Sequence, residues 1–273
     1  MLMRSLLYAP ANRPDLFGKF GRWPADLYAL DLEDGTPADQ RPAARDTLAA
    51  SVALARGDRS CRIFVRINPV GTADFGPDLD AALDCGADGI ILAKTDCAED
   101  LAQIPTRLPL IAGIESIAGV INARQIARAS GVVAIFFGAE DYCAEMGGRR
   151  TAAGLEVLYA RSEVVLAAKA ARITAIDQVV VDFRDDERFL ADAAQARDLG
   201  YGGKMCIHPQ QVALAHQAFS PTAAERVQAQ ALIEAYEAAQ ARGQATIDFH
   251  GRMVDGPLYK TALAVLAAAS ESD

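Results

Sequence analysis

The feature that most constrains the fold is a regular alternation of short apolar runs with segments of helical periodicity, which continues to about residue 219. Parallel strands that are covered on both faces have such continuous apolar runs and need a crossover helix between them. The pattern therefore predicts an α/β protein built on a single (β/α)8 TIM barrel. The eight predicted strands are Ser5–Ala9, Leu27–Leu32, Cys61–Ile67, Gly89–Ala93, Leu110–Glu115, Val132–Gly138, Ile176–Val181 and Lys204–Ile207.

A doubly wound open sheet is the structural alternative, because it also alternates strands with helices. It has little support here, since no GxGxxG motif follows the first strand. We assign residues 1–219 to the barrel and residues 220–273 to a C-terminal helical extension. Ser220 and Pro221 predict the first helix of the extension, with Ser as N-cap and Pro at the first position.

A loop rimmed by glycine and proline carries Asp255 and precedes the last predicted helix, Leu258–Ala268. An acid on a tight loop beyond a complete barrel could cover the mouth of its own barrel or that of a neighbouring subunit. We predict that this extension packs on an adjacent subunit.

Composition and charge exclude several classes of protein. A net charge of −9 with no basic run argues against nucleic-acid binding. No apolar stretch approaches the roughly 20 residues of a membrane helix, and the N-terminus lacks the apolar region of a signal peptide. The five cysteines form no CxxC or Cys/His cluster, which argues against a disulfide framework and a zinc site. We therefore expect a cytoplasmic protein with reduced cysteines.

Two predicted strands end abruptly in carboxylates, at Glu115 and at Asp141. About one strand, helix and loop separates them, so they should project from neighbouring strands toward the same point. Two carboxylates at such a point favour a hard divalent cation such as Mg²⁺, which prefers oxygen ligands and keeps positions open for substrate. The interpretation is a metal-dependent enzyme that acts on a small oxo- or hydroxyacid. The alternative is that both acids only cap the helices that follow.

Other polar residues at the predicted strand ends have more than one reading. Arg66 could bind an anionic substrate or could simply neutralise Asp31 or Glu33. Glu33 and Asp34 could orient a metal-bound water or Arg66, or cap the following turn. These assignments stay open at the level of the sequence.

Three further residues follow predicted strands. Lys94 could form a Schiff base, which a metal pair would make redundant. His208 precedes Pro209 and is better explained as a helix cap than as a catalytic base. Asp182 follows the predicted seventh strand.

Seven segments of the chain resemble the citrate lyase β-subunit and malyl-CoA lyase superfamily, in particular its stand-alone citrate-lyase-β-like proteins. They occur in order from Arg4 to Pro257, nearly the whole chain. One such segment alone is a weak signal, and seven in register are a strong one. The segments are RSLLYAPANRP, LDLEDGTPADQRPAAR, FVRIN, IESIAG, FFGAED, GYGGKMCIHPQQ and GRMVDGP.

The resemblance implies a Mg²⁺-dependent TIM barrel that forms trimers or hexamers and breaks or makes C–C bonds in 3-hydroxyacyl-CoA thioesters. It implies that Glu115 and Asp141 bind the metal and that Arg66 binds the carboxylate of a 2-oxoacid. Asp255 would enter the active site of an adjacent subunit as the acid or base. CoA would lie against the N-terminal segment, with Arg13 and Lys19 nearest to its phosphates.

One departure concerns the end of the fourth strand, where the family often has Pro-Lys and this chain has Ala93-Lys94. The chain is also shorter than typical malyl-CoA lyases, which affects the prediction of the acyl group and not that of the metal site.

The predicted function is a lyase or synthase of the citramalyl-CoA or malyl-CoA type, which gives acetyl-CoA and pyruvate or glyoxylate. One alternative is a metal-dependent pyruvate-class aldolase that does not use CoA. Another is a CoA-thioester-binding subunit of the citrate lyase β type that needs partner proteins. Thioesterase activity on the same intermediates also stays open.

Overall fold

Eight parallel strands close into a barrel in the computed structural model of the protein, which describes residues 2–57 and 61–270. Each strand pairs with the next along the chain, and the last returns to the first through Leu6 and Met205. The predicted (β/α)8 barrel is thus confirmed. The strands are β1 Ser5–Pro10, β2 Leu27–Asp31, β3 Ile63–Ile67, β4 Gly89–Leu92, β5 Leu110–Ile114, β6 Val132–Phe137, β7 Thr174–Asp177 and β8 Gly203–Cys206.

Helices follow the strands around the outside of the barrel, as crossover connections between parallel strands require. They are α1 Pro14–Phe17, α2 Arg41–Asp46, α3 Leu48–Arg56, α4 Phe75–Asp84, α5 Ala98–Ala102, α6 Ile117–Ile126, α7 Ala139–Met146, α8 Leu158–Ala171, α9 Asp186–Leu199 and α10 Gln210–Phe219. No helix in the described part of the chain is long and apolar enough to cross a membrane.

Apolar side chains from all eight strands fill the barrel interior, because alternate residues of each strand point inward. With this core packed, the polar residues that follow the strands are left at the C-terminal mouth. The interior cluster consists of Met3, Leu6, Leu27, Ala29, Phe64, Ile91, Ile111, Ala134, Phe136, Ile176 and Met205.

The seventh strand differs from its prediction. It covers Thr174–Asp177, whereas the apolar run predicted Ile176–Val181 with Asp182 at its end. Its partner β8 is only 4 residues long, so pairing stops before the apolar run does. Asp182 therefore lies in an exposed loop and not at a strand end.

Residues 217–270 belong to a second compact unit, distinct from the barrel unit of residues 3–216. It contains α11 Ala223–Gln240, β9 Ile247–Phe249, β10 Arg252–Val254 and α12 Gly256–Ser270. The two helices pack through Ala229, Ile233 and Ala262. The predicted start at Ser220 is wrong, because Thr222 caps α11 and forms a capping box with Glu225.

A network of buried charges joins β7, β8, α8 and α9. Arg161 donates two hydrogen bonds of 2.8 Å to Asp177, and Nζ of Lys204 lies 2.5 Å from the same carboxylate. Lys204 also binds Asp192. The side chains of Arg161, Asp177 and Lys204 are fully buried, so each charge depends on the others for compensation.

Replacing Lys204 by methionine is expected to lower the free energy of unfolding by about 3–5 kcal/mol, the usual effect of removing one partner from a buried ion pair. Urea denaturation measures this change. The exposed Lys169 provides the matched control, since Lys169→Met should change stability by less than about 0.5 kcal/mol. Equal stability of the two variants would show that the network contributes nothing.

Candidate active site

A cavity of about 390 Å³ opens at the C-terminal ends of the barrel strands, where TIM-barrel enzymes place their chemistry. Its lining combines an apolar part with a large excess of carboxylates: five acidic side chains and a single guanidinium. An anionic ligand would therefore be repelled unless a further cation offsets the excess of carboxylates. The lining residues are Tyr8, Ala9, Pro10, Asp31, Asp34, Gly35, Arg66, Glu115, Phe136, Gly138, Ala139, Glu140, Asp141, Val179, Met205 and Ile207.

Glu115 follows β5 and is almost fully buried, with 5% of its surface exposed. Two glycines make room for it: a Cβ added to Gly113 or to Gly138 would come within 2.5 Å of its carboxylate oxygens. Oε1 accepts a hydrogen bond of 3.0 Å from the backbone N–H of Lys94. Any larger residue at these two glycines would displace the carboxylate.

Burial raises the pKa of Glu115 to about 7, although the nearby charge of Arg66 acts in the opposite direction. The charges of Glu33 and Asp141 raise it further. A carboxylate whose ionised form is disfavoured in this way would gain from a cation in the cavity. The donor set therefore fits a divalent metal ion.

Asp141 lies in the first turn of α7, directly after β6, and lines the same cavity as Glu115. Its side chain is partly exposed. Both predicted metal ligands thus face one cavity from neighbouring strands. In residues 2–57 and 61–270, no group of three or more His, Cys, Asp or Glu side chains is arranged as a ready metal site. The protein would therefore supply two carboxylates and leave the other coordination positions to substrate and water.

Lys94 follows β4 and connects three acids of the mouth. Its Nζ lies 2.5 Å from Glu33, 3.1 Å from Asp34 and 3.7 Å from Asp141. Burial would lower the pKa of Lys94, but the hydrogen bond and charge of Glu33, together with the other acids, raise it above its ordinary value. A lysine that keeps its proton is a poor nucleophile, so the geometry does not favour a Schiff base.

The backbone of Lys94 is unusual for a residue with a side chain. Its φ of +46° lies in the left-handed region, which costs a non-glycine residue roughly 1–3 kcal/mol. In this conformation its N–H binds Glu115 while its ammonium binds Glu33. One residue therefore positions two acids of the site.

Arg66, on β3, forms the ion pair that the sequence left as an alternative. Its Nε and Nη2 donate to the two carboxylate oxygens of Asp31 at 2.7 and 2.6 Å, and its Nη1 lies 3.1 Å from Glu33. Arg66 still lines the cavity, but the two donors facing Asp31 are already used. Its predicted contact with a substrate carboxylate stays a prediction.

Glu33 and Asp34 follow β2 and differ in environment. Glu33 is buried, and burial raises its pKa. Its Oε2 lies 3.1 Å from Nη1 of Arg66 but accepts no hydrogen bond among the described residues. Burial would also raise the pKa of Asp34, but the hydrogen bond from Lys94 lowers it. Both acids contact the ammonium group of Lys94, and Asp34 also lines the cavity.

Other predicted residues lie elsewhere. Arg13 is exposed and pairs with Asp15 at 2.7 Å, and Lys19 is exposed as well. Asp255 lies in the second unit between β10 and α12, where its backbone carbonyl accepts a hydrogen bond from Tyr259. The roles of Arg13, Lys19 and Asp255 toward CoA and substrate are not tested by these positions.

His208 fits the structural role that the sequence favoured. Its Nδ1 accepts a hydrogen bond of 3.3 Å from the N–H of Gln210, the first residue of α10. Its ring stacks on Phe183 with 4.9 Å between the centroids. The residue thus helps to begin a helix.

Tyr8, which was not predicted as a site residue, lies on β1 and lines the cavity. The guanidinium of Arg66 lies 5.1 Å from its ring centroid, within the range of a cation–π contact. Burial raises the pKa of its phenol, so the hydroxyl keeps its proton. The alternation of Leu6 and Tyr8 on one face of the strand was the signal that could have placed it inside the barrel.

Comparison with known proteins identifies relatives over nearly the full chain. A family profile described as HpcH/HpaI aldolase/citrate lyase matches residues 4–209. A citrate lyase subunit beta-like protein of Deinococcus radiodurans is 44% identical, covering 97% of each chain. A (3S)-malyl-CoA thioesterase of Cereibacter sphaeroides is 34% identical, covering 97% of this chain and 94% of its own.

Solved structures agree with these sequence relatives. Protein CitE of Mycobacterium tuberculosis, in complex with magnesium, acetoacetate and coenzyme A, superposes with a TM-score of 0.88. It is 32% identical to this chain, and the match covers 98% of both chains. The similarity therefore extends across both compact units.

Proposed function

The chain belongs to the HpcH/HpaI aldolase/citrate lyase family, and from this we propose that it is a Mg²⁺-dependent carbon–carbon lyase or synthase acting on CoA thioesters. Its substrates are 3-hydroxyacyl-CoA thioesters of the citramalyl-CoA or malyl-CoA type. Cleavage gives acetyl-CoA and pyruvate or glyoxylate. We place the enzyme in the cytoplasm as a homo-oligomer, a trimer or a hexamer.

The observation that carries this proposal is the pair Glu115 and Asp141 in one carboxylate-rich cavity at the barrel mouth. A 2-oxoacid is an anion, and a metal ion would offset the repulsion from the carboxylates, which outnumber the one guanidinium of the lining. The magnesium and coenzyme A bound by the Mycobacterium tuberculosis relative support the same cofactor and substrate class here.

Cleavage breaks the bond between the hydroxyl-bearing carbon and the α-carbon of the thioester. The electron pair stays on the α-carbon as an enolate, the hydroxyl loses its proton, and the α-carbon must receive one. Glu115 and Asp141 would hold magnesium, which would supply Lewis acidity to this step. Arg66 orients the substrate carboxylate, and carboxylates of the cavity accept the hydroxyl proton.

Protonation of the enolate carbon falls to Asp255, supplied by a neighbouring subunit. An acid held at that carbon contributes about 10² to 10⁴ to the rate of such a step. In the synthase direction the same carboxylate removes the proton from acetyl-CoA. The phosphates of CoA are assigned to Arg13 and Lys19.

Thioester hydrolysis is a second candidate function, favoured by the relative named (3S)-malyl-CoA thioesterase. The two reactions release different products. The lyase yields acetyl-CoA and an oxoacid, whereas the thioesterase yields free CoA and a hydroxyacid. A thiol-reactive dye therefore reports only hydrolysis, and phenylhydrazine reports only the oxoacid.

The experiment is an assay of the purified protein on malyl-CoA and citramalyl-CoA, with Mg²⁺ and with chelator. We expect oxoacid formation that depends on Mg²⁺ and is lost with the chelator. Turnover that is unchanged by the chelator would contradict the proposed metal. Release of free thiol without oxoacid would replace the lyase by the thioesterase.

Magnesium is expected to raise the melting temperature more at pH 8 than at pH 5.5. The pKa of Glu115 is raised from 4.5 to about 7 in the folded protein, so between these two pH values the folded protein holds a proton that the unfolded chain has lost. As the pH rises, the ionised carboxylate therefore lowers the free energy of unfolding of the metal-free protein, and this loss is complete above pH 7. Magnesium binds the ionised form, so its effect grows as pH rises through 7. Calorimetry at the two pH values measures the shift, and a larger shift at pH 5.5 would contradict the assignment.

A further inference from the structure

Tyr8 and Arg66 are the two residues among those lining the cavity whose side chains carry hydrogen-bond donors. The Nε and Nη2 of Arg66 already donate to Asp31. The other polar side chains of the lining are carboxylates, which accept hydrogen bonds when they are ionised. The cavity is therefore poor in donors that remain available to a ligand.

The hydroxyl of Tyr8 is buried and has no hydrogen-bond partner among the described residues. Tyr8 lies on the barrel wall, its ring packs against the interior cluster, and its backbone pairs in register with Ala29 of β2. A buried hydroxyl is nearly always hydrogen-bonded in a folded protein. Its partner is therefore expected to be a molecule that enters the cavity.

The surroundings of the hydroxyl define the chemistry of that molecule. Tyr8 lines the same cavity as the predicted metal ligand Glu115, and the guanidinium of Arg66 lies 5.1 Å from its ring centroid. The apolar side of the cavity, with Phe136, Val179 and Met205, leaves space for a small carbon chain. A small acid with oxygen acceptors at one end and a short apolar end matches this lining.

We infer that the hydroxyl of Tyr8 donates a hydrogen bond to an oxygen atom of the 2-oxoacid half of the substrate. Tyr8 is thus a substrate-binding residue that adds a donor to Arg66, two of whose nitrogens already donate to Asp31. This inference rests on the proposed function, because it takes the oxoacid and the metal from it.

The test measures binding of pyruvate and of glyoxylate to the Mg²⁺-loaded protein by titration calorimetry. Tyr8→Phe removes only the hydroxyl, and we expect it to weaken binding of the oxoacids roughly tenfold or more, as expected for a hydrogen bond to a charged ligand. Tyr159→Phe is the matched control, because Tyr159 is 77% exposed on α8, and it should bind like the unaltered protein.

Thermal unfolding without ligand separates a binding role from a structural one. Tyr8→Phe should not lower the melting temperature of the ligand-free protein, since the hydroxyl has no protein partner in the described chain. A clear decrease would show that the hydroxyl is structural and would overturn the inference.

The two proposals can fail separately. If the unaltered protein and Tyr8→Phe bind oxoacids equally well, the role of Tyr8 is wrong and the proposed function stands. If the unaltered protein binds neither oxoacid in the presence of Mg²⁺, the proposed function is wrong and the role of Tyr8 fails with it.

Discussion

Glutamine in place of Glu115 is expected to lower turnover of the CoA thioester by about 10³-fold or more. The substitution keeps the size of the side chain and the hydrogen bond from Lys94 but removes the charge that binds the metal. A metal ion contributes several kcal/mol of charge stabilisation, and each 1.4 kcal/mol is about tenfold in rate. Initial rates at saturating Mg²⁺ measure the loss.

Stability distinguishes this loss from misfolding. Burial disfavours the ionised form of Glu115, so Glu115→Gln should melt at the same or a higher temperature than the unaltered protein at pH 8 without metal. Magnesium should no longer raise that temperature. Glu187→Gln, at an exposed position of α9, is the matched control and should keep full activity. Near-normal turnover of Glu115→Gln would refute its role as a ligand.

Asparagine in place of Asp255 is expected to lower turnover by about 10² to 10⁴, the usual contribution of a positioned general acid or base. Because the substitution leaves Glu115 and Asp141 intact, the stabilisation by Mg²⁺ should be retained. Asp248→Asn is the control, since Asp248 lies on the paired strand β9 and asparagine keeps the oxygen that accepts from Gly251. The comparison isolates the carboxylate of Asp255 from the stability of the hairpin.

Mixed oligomers test whether Asp255 acts on a neighbouring subunit. Co-expression of Glu115→Gln with Asp255→Asn places an intact Glu115 and an intact Asp255 on different chains. If Asp255 acts in a neighbour, the mixed oligomers should recover part of the activity that each variant lacks. Mixed oligomers as inactive as either parent would contradict action between subunits.

The barrel and the meeting of Glu115 with Asp141 could be predicted because both follow from local pattern and topology. Continuous apolar runs indicate buried parallel strands, and parallel strands bring their C-terminal ends to one face. An acid that directly follows each of two neighbouring strands must then lie at that face. No knowledge of side-chain contacts was needed for this step.

The ion pairs inside the site could not be predicted, because a long side chain such as arginine or lysine can reach several nearby partners. Arg66 was predicted to bind a substrate carboxylate, with an ion pair to Asp31 or Glu33 as the alternative, and the structure shows the pair with Asp31. Lys94 reaches Glu33 and binds Glu115 through a left-handed backbone, which no sequence pattern of an ordinary lysine indicates. The sequence indicates only that Tyr8 lies in an apolar strand, and not that its hydroxyl has no hydrogen-bond partner in the described part of the chain.

Strand ends were the weakest part of the fold prediction. The apolar run at residues 179–181 extends past the end of β7, because these residues lie in the loop that follows β7 and do not pair with another strand. The amide of Gln211 binds the carbonyl of Val180, which holds this loop against α10. Val180 is buried but Val181 is 59% exposed, so the end of an apolar run indicates neither where burial ends nor where strand pairing stops.

The most direct test of the account is anomalous diffraction from crystals grown with Mn²⁺ in place of Mg²⁺ and with pyruvate. We expect one strong manganese peak in the barrel mouth, coordinated by the carboxylates of Glu115 and Asp141 and by oxygens of pyruvate. A peak at any other position, or a mouth that holds pyruvate without the metal, would contradict it.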